Sequence, residues 1–447
     1  MFRAVLVANR GEIARRVFRA CRRLGVGTIA VYSEADRDAP HVCDADRSAL
    51  LGPAPARESY LDIERILTAA RAQGADAVHP GYGFLAENWR FAEACSRAGL
   101  AFIGPPAEAI RAMGDKSGAR RLMAAAGVPT VPGSPGPVAD AAEAEAQAAA
   151  VGFPLILKAA AGGGGIGLAR VDRAADLAAA FGAATRRAQA AFGSGALYLE
   201  RYLERPRHVE VQVFADAHGA VVHLHERECS LQRRHQKLLE ESPAPGLDPA
   251  TKRGLVEAAV AGARAIGYVN AGTLEFLVDG RGGFYFIEMN TRIQVEHPVT
   301  EEVTGLDLVV EQLRVAAGER LSWRQAEIVQ HGAAMEVRVY AEDPDRNFLP
   351  SPGTIGRLEL PAGEGIRVES GVETGSAVSV HYDPLLVKLI ARGGGRDEAL
   401  DRLRAALDAT AVEGVRTTLP FLKKVLDHPD VRRGALHTQM VEQGAFR

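Results

Sequence analysis

Two glutamates in an expected hairpin are the first residues whose spacing suggests chemistry. The segment TLEFLVDGRGGFYFIEMN places two largely apolar runs around the glycine-rich stretch 280–283. If those four residues form the loop, Glu275 lies directly opposite Glu288 on the paired strands. Facing Cβ atoms are then about 5 Å apart, and two bare carboxylates so placed repel each other. The pair therefore predicts a bound cation, or a proton that both carboxylates share.

Polar residues continue at every second position beyond this hairpin, at Asn290, Arg292, Gln294 and Glu296. Side chains at that period share one face of an extended chain. Such a face is usually just solvated, but here oxygen ligands suited to a hard cation stand beside an arginine fork suited to an anion. The predicted Mg²⁺ ligands, next to nucleotide phosphates, are Glu275, Glu288 and Asn290.

A glycine run, 161–167, lies between two strand-like segments. No Gly-Lys-Ser/Thr closes it, so it is not a Walker loop. Consecutive glycines let backbone N–H groups approach phosphate oxygens, although a plain flexible linker is the alternative interpretation. Lys158, at the end of the preceding apolar strand, favours a phosphate-binding lid that includes Gly163, Gly164 and Gly165.

Three further segments contain candidate residues. The cluster RRHQK, 233–237, is basic, but the net charge of -3 argues against a nucleic-acid surface. The alternating segment HVEVQVF places His208 and Glu210 on one strand face, where a lone histidine is more often structural than catalytic. The loop PGYGF has turn-forming residues with unusual backbone angles, which predicts that Tyr82 lies at a domain edge.

The elements that must position these residues form three predicted units. In residues 1–114, short apolar runs alternate with amphipathic helices, which predicts a Rossmann-like parallel α/β unit. Its first strand ends in a turn with a single glycine, so the dinucleotide fingerprint is missing. Residues 115–330 predict a small α/β lobe, about 130–203, followed by a larger strand-rich lobe. Residues 331–447 predict an α+β domain.

Length, charge and cysteine usage exclude several classes. A chain of 447 residues is long enough for two or three domains, and its net charge of -3 gives no general attraction to nucleic acid or anionic lipid. No apolar run approaches the roughly 20 residues that cross a bilayer. The cysteines form no Cys-x-x-Cys pair and follow no secretory signal. We therefore expect a cytoplasmic protein whose partners are small molecules or proteins.

In this order, the segments HPGYGFLAEN, MGDK, RHVEVQVF, ERECSLQRRHQK and FIEMNTRIQVEHPVTE resemble the biotin carboxylases of the ATP-grasp superfamily. The likeness runs from VANRGEIARR to HYDPLLVKLIAR. It implies a pre-ATP-grasp domain, an ATP-grasp domain with a mobile glycine-rich lid, and an α+β C-terminal domain. The sequence is similar to the biotin carboxylase subunit of an acetyl-CoA or other acyl-CoA carboxylase, and this resemblance implies a homodimer.

The resemblance also implies a role for each matching residue. ATP would be contacted by Lys116, Lys158, Glu200, the Leu203 backbone, His208, Gln232 and His235. Bicarbonate would be held by Lys237, Arg292, Gln294 and the Val295 backbone. Glu296 would be the general base, and two Mg²⁺ or Mn²⁺ ions would bind Glu275, Glu288 and Asn290. Biotin would be faced by Arg338 and Tyr82.

The implied reaction has two steps. Glu296 deprotonates bicarbonate, which attacks the γ-phosphoryl group of ATP to give carboxyphosphate. Phosphate released from that intermediate takes the ureido proton of biotin, CO₂ is captured, and Arg338 stabilises the enolate-like oxygen. Because the sequence lacks the carrier's Met-Lys-Met motif and ends at Arg447, we expect biotin on a separate carrier protein that also serves carboxyltransferase subunits.

The lid departs from the family pattern, and two alternative functions remain. Its glycine run begins with Ala161 and continues with Ile166, where many family members have a basic residue, so we expect altered nucleotide affinity or turnover. One alternative is another ATP-grasp ligase, such as a carbamoyl phosphate synthase or purine-pathway carboxylase, although the bicarbonate residues count against it. The other is a nucleotide-binding regulatory subunit with little catalysis.

Overall fold

The computed structural model describes residues 1–159, 168–234 and 236–446. Over these ranges the chain forms an N-terminal parallel sheet, a small antiparallel sheet and a long antiparallel sheet that we call the central sheet. Apolar clusters lie between each sheet and the helices that cover it. The predicted class, α/β together with α+β in several units, is confirmed.

The N-terminal sheet has the order β3-β2-β1-β4-β5, with every pair parallel. Its central strand, AVLV, is buried on both faces, which is typical of a parallel sheet covered by helices. The third strand, RSALLG, was not predicted, because it is half exposed and carries polar residues. The strands are β1 Ala4–Val7, β2 Gly27–Ser33, β3 Arg47–Gly52, β4 Ala77–His79 and β5 Ala101–Phe102. The helices are α1 Gly11–Arg23, α2 Pro40–Asp44, α3 Ile63–Ala72, α4 Trp89–Arg97 and α5 Ala107–Gly114.

The small sheet has the order β7-β6-β8 and is antiparallel. Its long helix begins at Leu177, directly after a 3-10 turn formed by Ala174–Asp176. The elements of this lobe and the helix before it are α6 Lys116–Ala125, α7 Ala141–Val151, β6 Leu155–Ala159, β7 Ala169–Val171, α8 Leu177–Phe192 and β8 Leu197–Arg201.

The central sheet has the order β13-β12-β9-β10-β11-β14-β21-β19. Its first part comes from the middle of the chain and its last three strands come from the C-terminal part. The middle elements are β9 Arg207–Ala215, β10 Val221–Arg233, β11 Gln236–Ser242, α9 Pro249–Ala265, β12 Asn270–Val278, β13 Phe284–Asn290, α10 His297–Thr304 and α11 Leu308–Ala316.

In the C-terminal part, β14 pairs with β11, β21 with β14 and β19 with β21, all antiparallel. The boundary predicted near residue 331 thus falls between two strands of one sheet. The strands are β14 Ala333–Tyr340, β15 Glu342–Asp343, β16 Leu349–Pro350, β17 Gly353–Thr354, β18 Arg357–Glu359, β19 Ile366–Ser370, β20 Ala377–Val378, β21 Leu385–Gly393 and β22 Ala411–Glu413. The helices are α12 Arg396–Asp408, α13 Leu419–Asp427 and α14 Pro429–Arg432.

Helices cover both faces of this last part of the central sheet. Leu403 of α12 and Leu422 of α13 pack with Val337 of β14 in one apolar cluster. On the opposite face, Val299 of α10 packs with Ile390 of β21. The N-terminal end of α10 therefore lies over the face of β14 and β21 that carries charged residues.

Among the helices of the described ranges, none has the combined length and apolar character that a membrane crossing requires. The four cysteines are free thiols. Burial raises the pKa of Cys21 and of Cys95 to about 12, so neither is a reactive thiolate at neutral pH.

Candidate active site

Glu275 and Glu288 face each other across β12 and β13, as predicted. The hairpin reaches this register differently, because near the turn Phe276 pairs with Phe286, one position away from the expected pairing. Ile287 is then an extra residue, a β-bulge, and beyond it the expected register returns. Two deviations from the predicted hairpin therefore cancel, and the carboxylates still meet.

Lys237, on β11, lies among carboxylates from three other segments. Its Nζ is 2.5 Å from Glu210, 3.0 Å from Glu275 and 2.5 Å from Glu296. Burial opposes its charge, but the three carboxylates hold the pKa of Lys237 well above its ordinary value. The residue predicted as part of a basic cluster is thus the buried cation that neutralises an acidic pocket.

Glu275 is held by more than this ammonium. Its Oε1 accepts hydrogen bonds from Asn290 at 2.7 Å and Gln294 at 2.9 Å, and its Oε2 lies 3.0 Å from Nε2 of His208. Burial would raise the pKa of Glu275, but Lys237 and His208 bring it well below its usual range. For His208, burial is opposed by Glu275, and the net effect is a raised pKa. This strand histidine is therefore part of the site.

Glu296 bridges two cations. Its Oε1 accepts from Lys237, and its Oε2 accepts from Arg338 of β14 at 3.0 Å. Burial opposes ionisation, but Lys237 and Arg338 hold the pKa of Glu296 well below its ordinary value. Arg338 also lies 2.5 Å from Glu240, whose pKa burial raises to about 7. The Glu296 carboxylate is thus ionised at neutral pH and lies where a small anion would meet both cations.

The single extended face predicted from Asn290 to Glu296 is wrong in its backbone. β13 ends at Asn290, and an irregular segment leads into α10, with Glu296 at the helix N-cap. The side chains still converge. Arg292 donates to the side-chain oxygen of Asn290 at 2.8 Å and pairs with Glu87 at 3.0 Å. Glu87 also accepts from the backbone N–H of residue 291 at 2.9 Å, so a loop of the N-terminal unit holds this segment.

Arg227 belongs to the site and was missed by the sequence analysis. It is fully buried in β10 and donates from Nε to Glu210 at 2.6 Å and from Nη2 to Gln294 at 2.9 Å. Further bonds go to Gln212 at 2.8 Å and Thr300 at 3.0 Å. The signal was the charged triplet ERE, 226–228, in a segment otherwise predicted as a strand. Such charges are almost never fully buried unless paired.

Two further predicted cations, Lys116 and Lys158, have solvent-exposed side chains. Lys116, at the start of α6, is 3.6 Å from Glu288, and both side chains are partly exposed. Lys158 of β6 pairs with Glu200 of β8, which also lies 2.5 Å from Arg120. Each of these ammonium groups contacts a carboxylate, and the phosphates of a nucleotide could take the place of that carboxylate.

The structure places the other predicted residues as follows. Gln232 is buried on β10, opposite Lys237, and Leu203 follows the end of β8. Tyr82 is half-buried in a loop whose glycines have positive φ, and its carbonyl accepts from Asn9 at 2.7 Å. Within the described ranges, no hydrogen bond or ion pair joins the Tyr82 side chain to Arg338. The lid residues Ala161, Gly163, Gly164, Gly165 and Ile166, and also His235, lie outside the described residues.

The carboxylate pair fits a hard divalent cation. Glu275 and Glu288 lie side by side, Asn290 adds an amide, and the carboxylate of Glu288 is partly open to solvent beside Lys116. Glu210 also lies close to His208 and Glu275. Both of its oxygens are already neutralised, by Arg227 and Lys237.

Comparisons with known proteins cover almost the whole chain. Family models match residues 1–110 (Biotin carboxylase, N-terminal domain), 115–324 (Carbamoyl-phosphate synthase L chain, ATP binding domain) and 336–443 (Biotin carboxylase C-terminal domain). The biotin carboxylase of Halalkalibacterium halodurans is 52% identical over 441 residues, which cover 99% of this chain and 97% of that protein.

Solved structures agree. The biotin carboxylase domain dimer of Hydrogenobacter thermophilus 2-oxoglutarate carboxylase, in complex with MgADP, ADP and bicarbonate, superimposes with a TM-score of 0.91 at 47% identity. That match covers 100% of this chain and 99% of the other. The biotin carboxylase of Campylobacter jejuni, in a β-γ-ATP complex, gives a TM-score of 0.92 at 46% identity, with 99% of each chain covered.

The parallel N-terminal unit, the ATP-grasp unit and the α+β C-terminal unit around this charged site define an ATP-dependent ligase. The identity and coverage make the assignment finer than that class. The chain belongs to the biotin carboxylase family.

Proposed function

We propose that this chain uses ATP to join bicarbonate to biotin, as the first half-reaction of an acyl-CoA or related carboxylase. The observation that carries the proposal is the buried carboxylate of Glu296, held between Lys237 at 2.5 Å and Arg338 at 3.0 Å. A base between two cations suits a substrate that must lose a proton while gaining negative charge.

Bicarbonate activation follows from these charges. Because its pKa is held low, Glu296 is ionised and able to accept a proton throughout the neutral range. Lys237 and Arg338 stabilise that carboxylate in the free enzyme. When bicarbonate binds beside them, both cations can stabilise the developing second negative charge instead, which raises the proton affinity of Glu296 as the substrate's falls. Arg292, Gln294 and the Val295 backbone complete the proposed bicarbonate contacts.

Phosphoryl transfer needs positioning and charge compensation. Lys116 and Lys158 hold phosphate oxygens by exchanging their present carboxylate partners, Glu288 and Glu200, for the nucleotide. Mg²⁺ bound by Glu275, Glu288 and Asn290 would supply Lewis-acid compensation of the phosphates. The remaining proposed nucleotide contacts are His208, Gln232, His235, the Leu203 backbone and the lid glycines 163–165.

Biotin carboxylation is the second step. Carboxyphosphate breaks the C–O bond of its C–O–P bridge and gives CO₂ and phosphate, with the bridging oxygen leaving on phosphorus, and the phosphate takes the ureido N–H proton of biotin. The nitrogen then bonds to CO₂. Arg338 is held by Glu240 and Glu296, and its proposed role is to stabilise the negative charge that develops on the ureido oxygen. Tyr82 is the proposed neighbour of biotin on the N-terminal side.

We place the biotin on a carrier protein that docks at this site, with carboxyltransferase subunits using the product and a homodimer as the working state. The dimeric Hydrogenobacter structure supports the last point. We propose units at 1–114, 115–330 with its lid lobe at about 130–203, and 331–447. The free thiols support a cytoplasmic location.

The test is ATP hydrolysis measured with and without bicarbonate, and with free biotin as acceptor. The proposal expects ADP formation that depends on bicarbonate, and carboxybiotin when biotin is added. Hydrolysis stimulated by bicarbonate but unaffected by biotin, with no carboxybiotin formed, would favour a different ATP-grasp ligase. Nucleotide binding without turnover would favour a regulatory subunit.

A further inference from the structure

Lys388 is a fully buried lysine outside the residues assigned above. It lies in the middle of β21, and its Nζ donates a hydrogen bond of 2.7 Å to the backbone carbonyl of Val295. Val295 belongs to the irregular segment between β13 and α10, which lacks the regular hydrogen bonding of a strand or helix. A buried ammonium thus fixes the backbone one residue before the proposed base, Glu296.

A second cation acts on the next residue. Lys388 lies directly opposite Arg338 in the register of β21 and β14, and Arg338 donates a hydrogen bond to the side chain of Glu296. Directly opposite side chains share one face of the sheet, and like charges so placed repel each other. Each of these cations therefore needs its own carboxylate. Arg338 has Glu240 at 2.5 Å, and Lys388 has Glu12 at 3.3 Å.

Glu12 comes from a different unit of the fold. It is in the first turn of α1, and it is buried without a hydrogen-bond partner for either carboxylate oxygen among the described residues. Burial raises its pKa, while Lys388 is the largest opposing influence. Glu12 is thus an ion-pair partner of Lys388, and Lys388 holds the active-site backbone.

We infer that Lys388 is a positioning residue for bicarbonate: it fixes the Val295 carbonyl and so sets where the neighbouring Gln294 and Glu296 side chains point. The inference rests on the proposed function. Gln294 and Glu296 act on opposite sides of Val295, so rotation of that peptide unit would move both groups away from Lys237 and Glu275. A small displacement of this kind costs far more in catalysis than in folding.

The alternative is a purely structural role, in which Lys388 only neutralises Glu12 and thereby joins α1 to the central sheet. Three variants separate the two roles. Lys388→Met removes both the hydrogen bond and the charge. Glu12→Gln keeps the lysine and its bond to Val295. The double variant Glu12→Gln/Lys388→Met removes both ends of the ion pair, so Glu12 is not left as an unpaired buried carboxylate.

The measurements are KM and kcat for bicarbonate and for ATP, with urea unfolding as the check on folding. We expect kcat/KM for bicarbonate to fall about 10- to 100-fold in Lys388→Met and in the double variant, with KM for ATP changed less than about threefold. Glu12→Gln should keep bicarbonate kinetics within about threefold of the wild type.

If Lys388→Met does not fold, the double variant decides. Wild-type bicarbonate kinetics in the double variant would overturn the inference and leave charge neutralisation as the role of Lys388. An increase in KM for ATP as large as the increase in KM for bicarbonate would also overturn it. Failure of the proposed function is a separate result, because it would appear as no bicarbonate-dependent hydrolysis in the wild type.

Discussion

The guanidinium of Arg227 donates a hydrogen bond of 2.9 Å to the side-chain oxygen of Gln294. The same guanidinium binds Glu210 at 2.6 Å, and Glu210 in turn accepts from Lys237. A fully buried arginine thus connects the acidic pocket to the loop before α10. The orientation of Gln294, whose amide N–H binds Glu275 at 2.9 Å, depends on this connection.

Replacing Arg227 by Met should be among the most damaging single changes in the chain. It leaves Gln212 and Gln294 without the guanidinium donor and Glu210 with only Lys237, and breaking a buried ion pair from one side typically costs about 3–5 kcal/mol. Urea unfolding would measure the loss. Arg324→Met is the matched control, because Arg324 forms an exposed ion pair with Glu327 and should barely affect stability. A similar effect of both substitutions would refute the structural role of Arg227.

Deleting Ile287 should preserve Mg²⁺-dependent nucleotide binding. Phe276 pairs with Phe286 and Glu275 with Glu288, so removal of the extra residue between them leaves Glu288 still opposite Glu275. Deleting Tyr285 together with Ile287 should abolish that binding, because the second deletion shifts the register by one residue and moves Glu288 to the other face of the strand. Calorimetric titration with MgADP would compare the two variants, and loss of binding in the single-deletion variant would contradict this prediction.

Glu296→Gln and Glu288→Gln should fail in different ways. The first keeps the shape of the side chain but cannot accept a proton, so bicarbonate-dependent ATP hydrolysis should fall by about 10²- to 10⁴-fold while MgADP still binds. The second removes a charge from the proposed metal site, so MgADP affinity should weaken. Steady-state kinetics and titration of both variants test this division of roles. Equal loss of nucleotide affinity in the two variants would show that it is wrong.

His79 should make the fold sensitive to acid. Its Nδ1 accepts from the Gly81 N–H at 3.0 Å, which requires a neutral ring, and burial lowers its pKa to about 4. Because the pKa of His79 is lower in the folded protein, its neutral ring contributes to the free energy of unfolding. This contribution is fully present above the unfolded pKa near 6.5 and is lost as the pH falls towards 4. Lowering the pH from 7 to 5 should remove about 2 kcal/mol through this group.

Urea unfolding of the wild type and of His79→Gln at both pH values isolates this contribution. Carboxylates and the other buried histidines, among them His41 and His297, titrate in both proteins, so only the difference between their pH dependences counts. A weaker pH dependence in the variant is the expected result. The same slope in both proteins would mean that His79 is not the responsible group.

Features with a short sequence period were predicted well. The facing pair Glu275 and Glu288 follows from alternation and a short turn, and the parallel N-terminal unit follows from apolar runs separated by helices. The hairpin shows the limit of that logic, because the bulge at Ile287 has no local signal in the sequence and its effect cancels the change at the turn.

Features that depend on distant segments were not predicted. The partners of Arg227 lie on β9, β12 and α10, and no local pattern brings them together. Lys237 looked like part of a basic patch because its nearest neighbours in sequence are basic. Only the pairing of β11 within the central sheet places it among carboxylates. Charge in sequence and charge in space therefore differ most at this buried site.

The central sheet runs without interruption from the middle of the chain into its C-terminal part, and this limits how the protein can be divided. A cut near residue 331 would leave β11 with a free edge of unpaired N–H and C=O groups. It would also separate Glu296 from Arg338 and Val295 from Lys388. Any fragment meant to retain chemistry must therefore span this seam. If the two parts are expressed separately, we expect both to aggregate. The ATP-grasp and C-terminal units must therefore be kept together in one polypeptide.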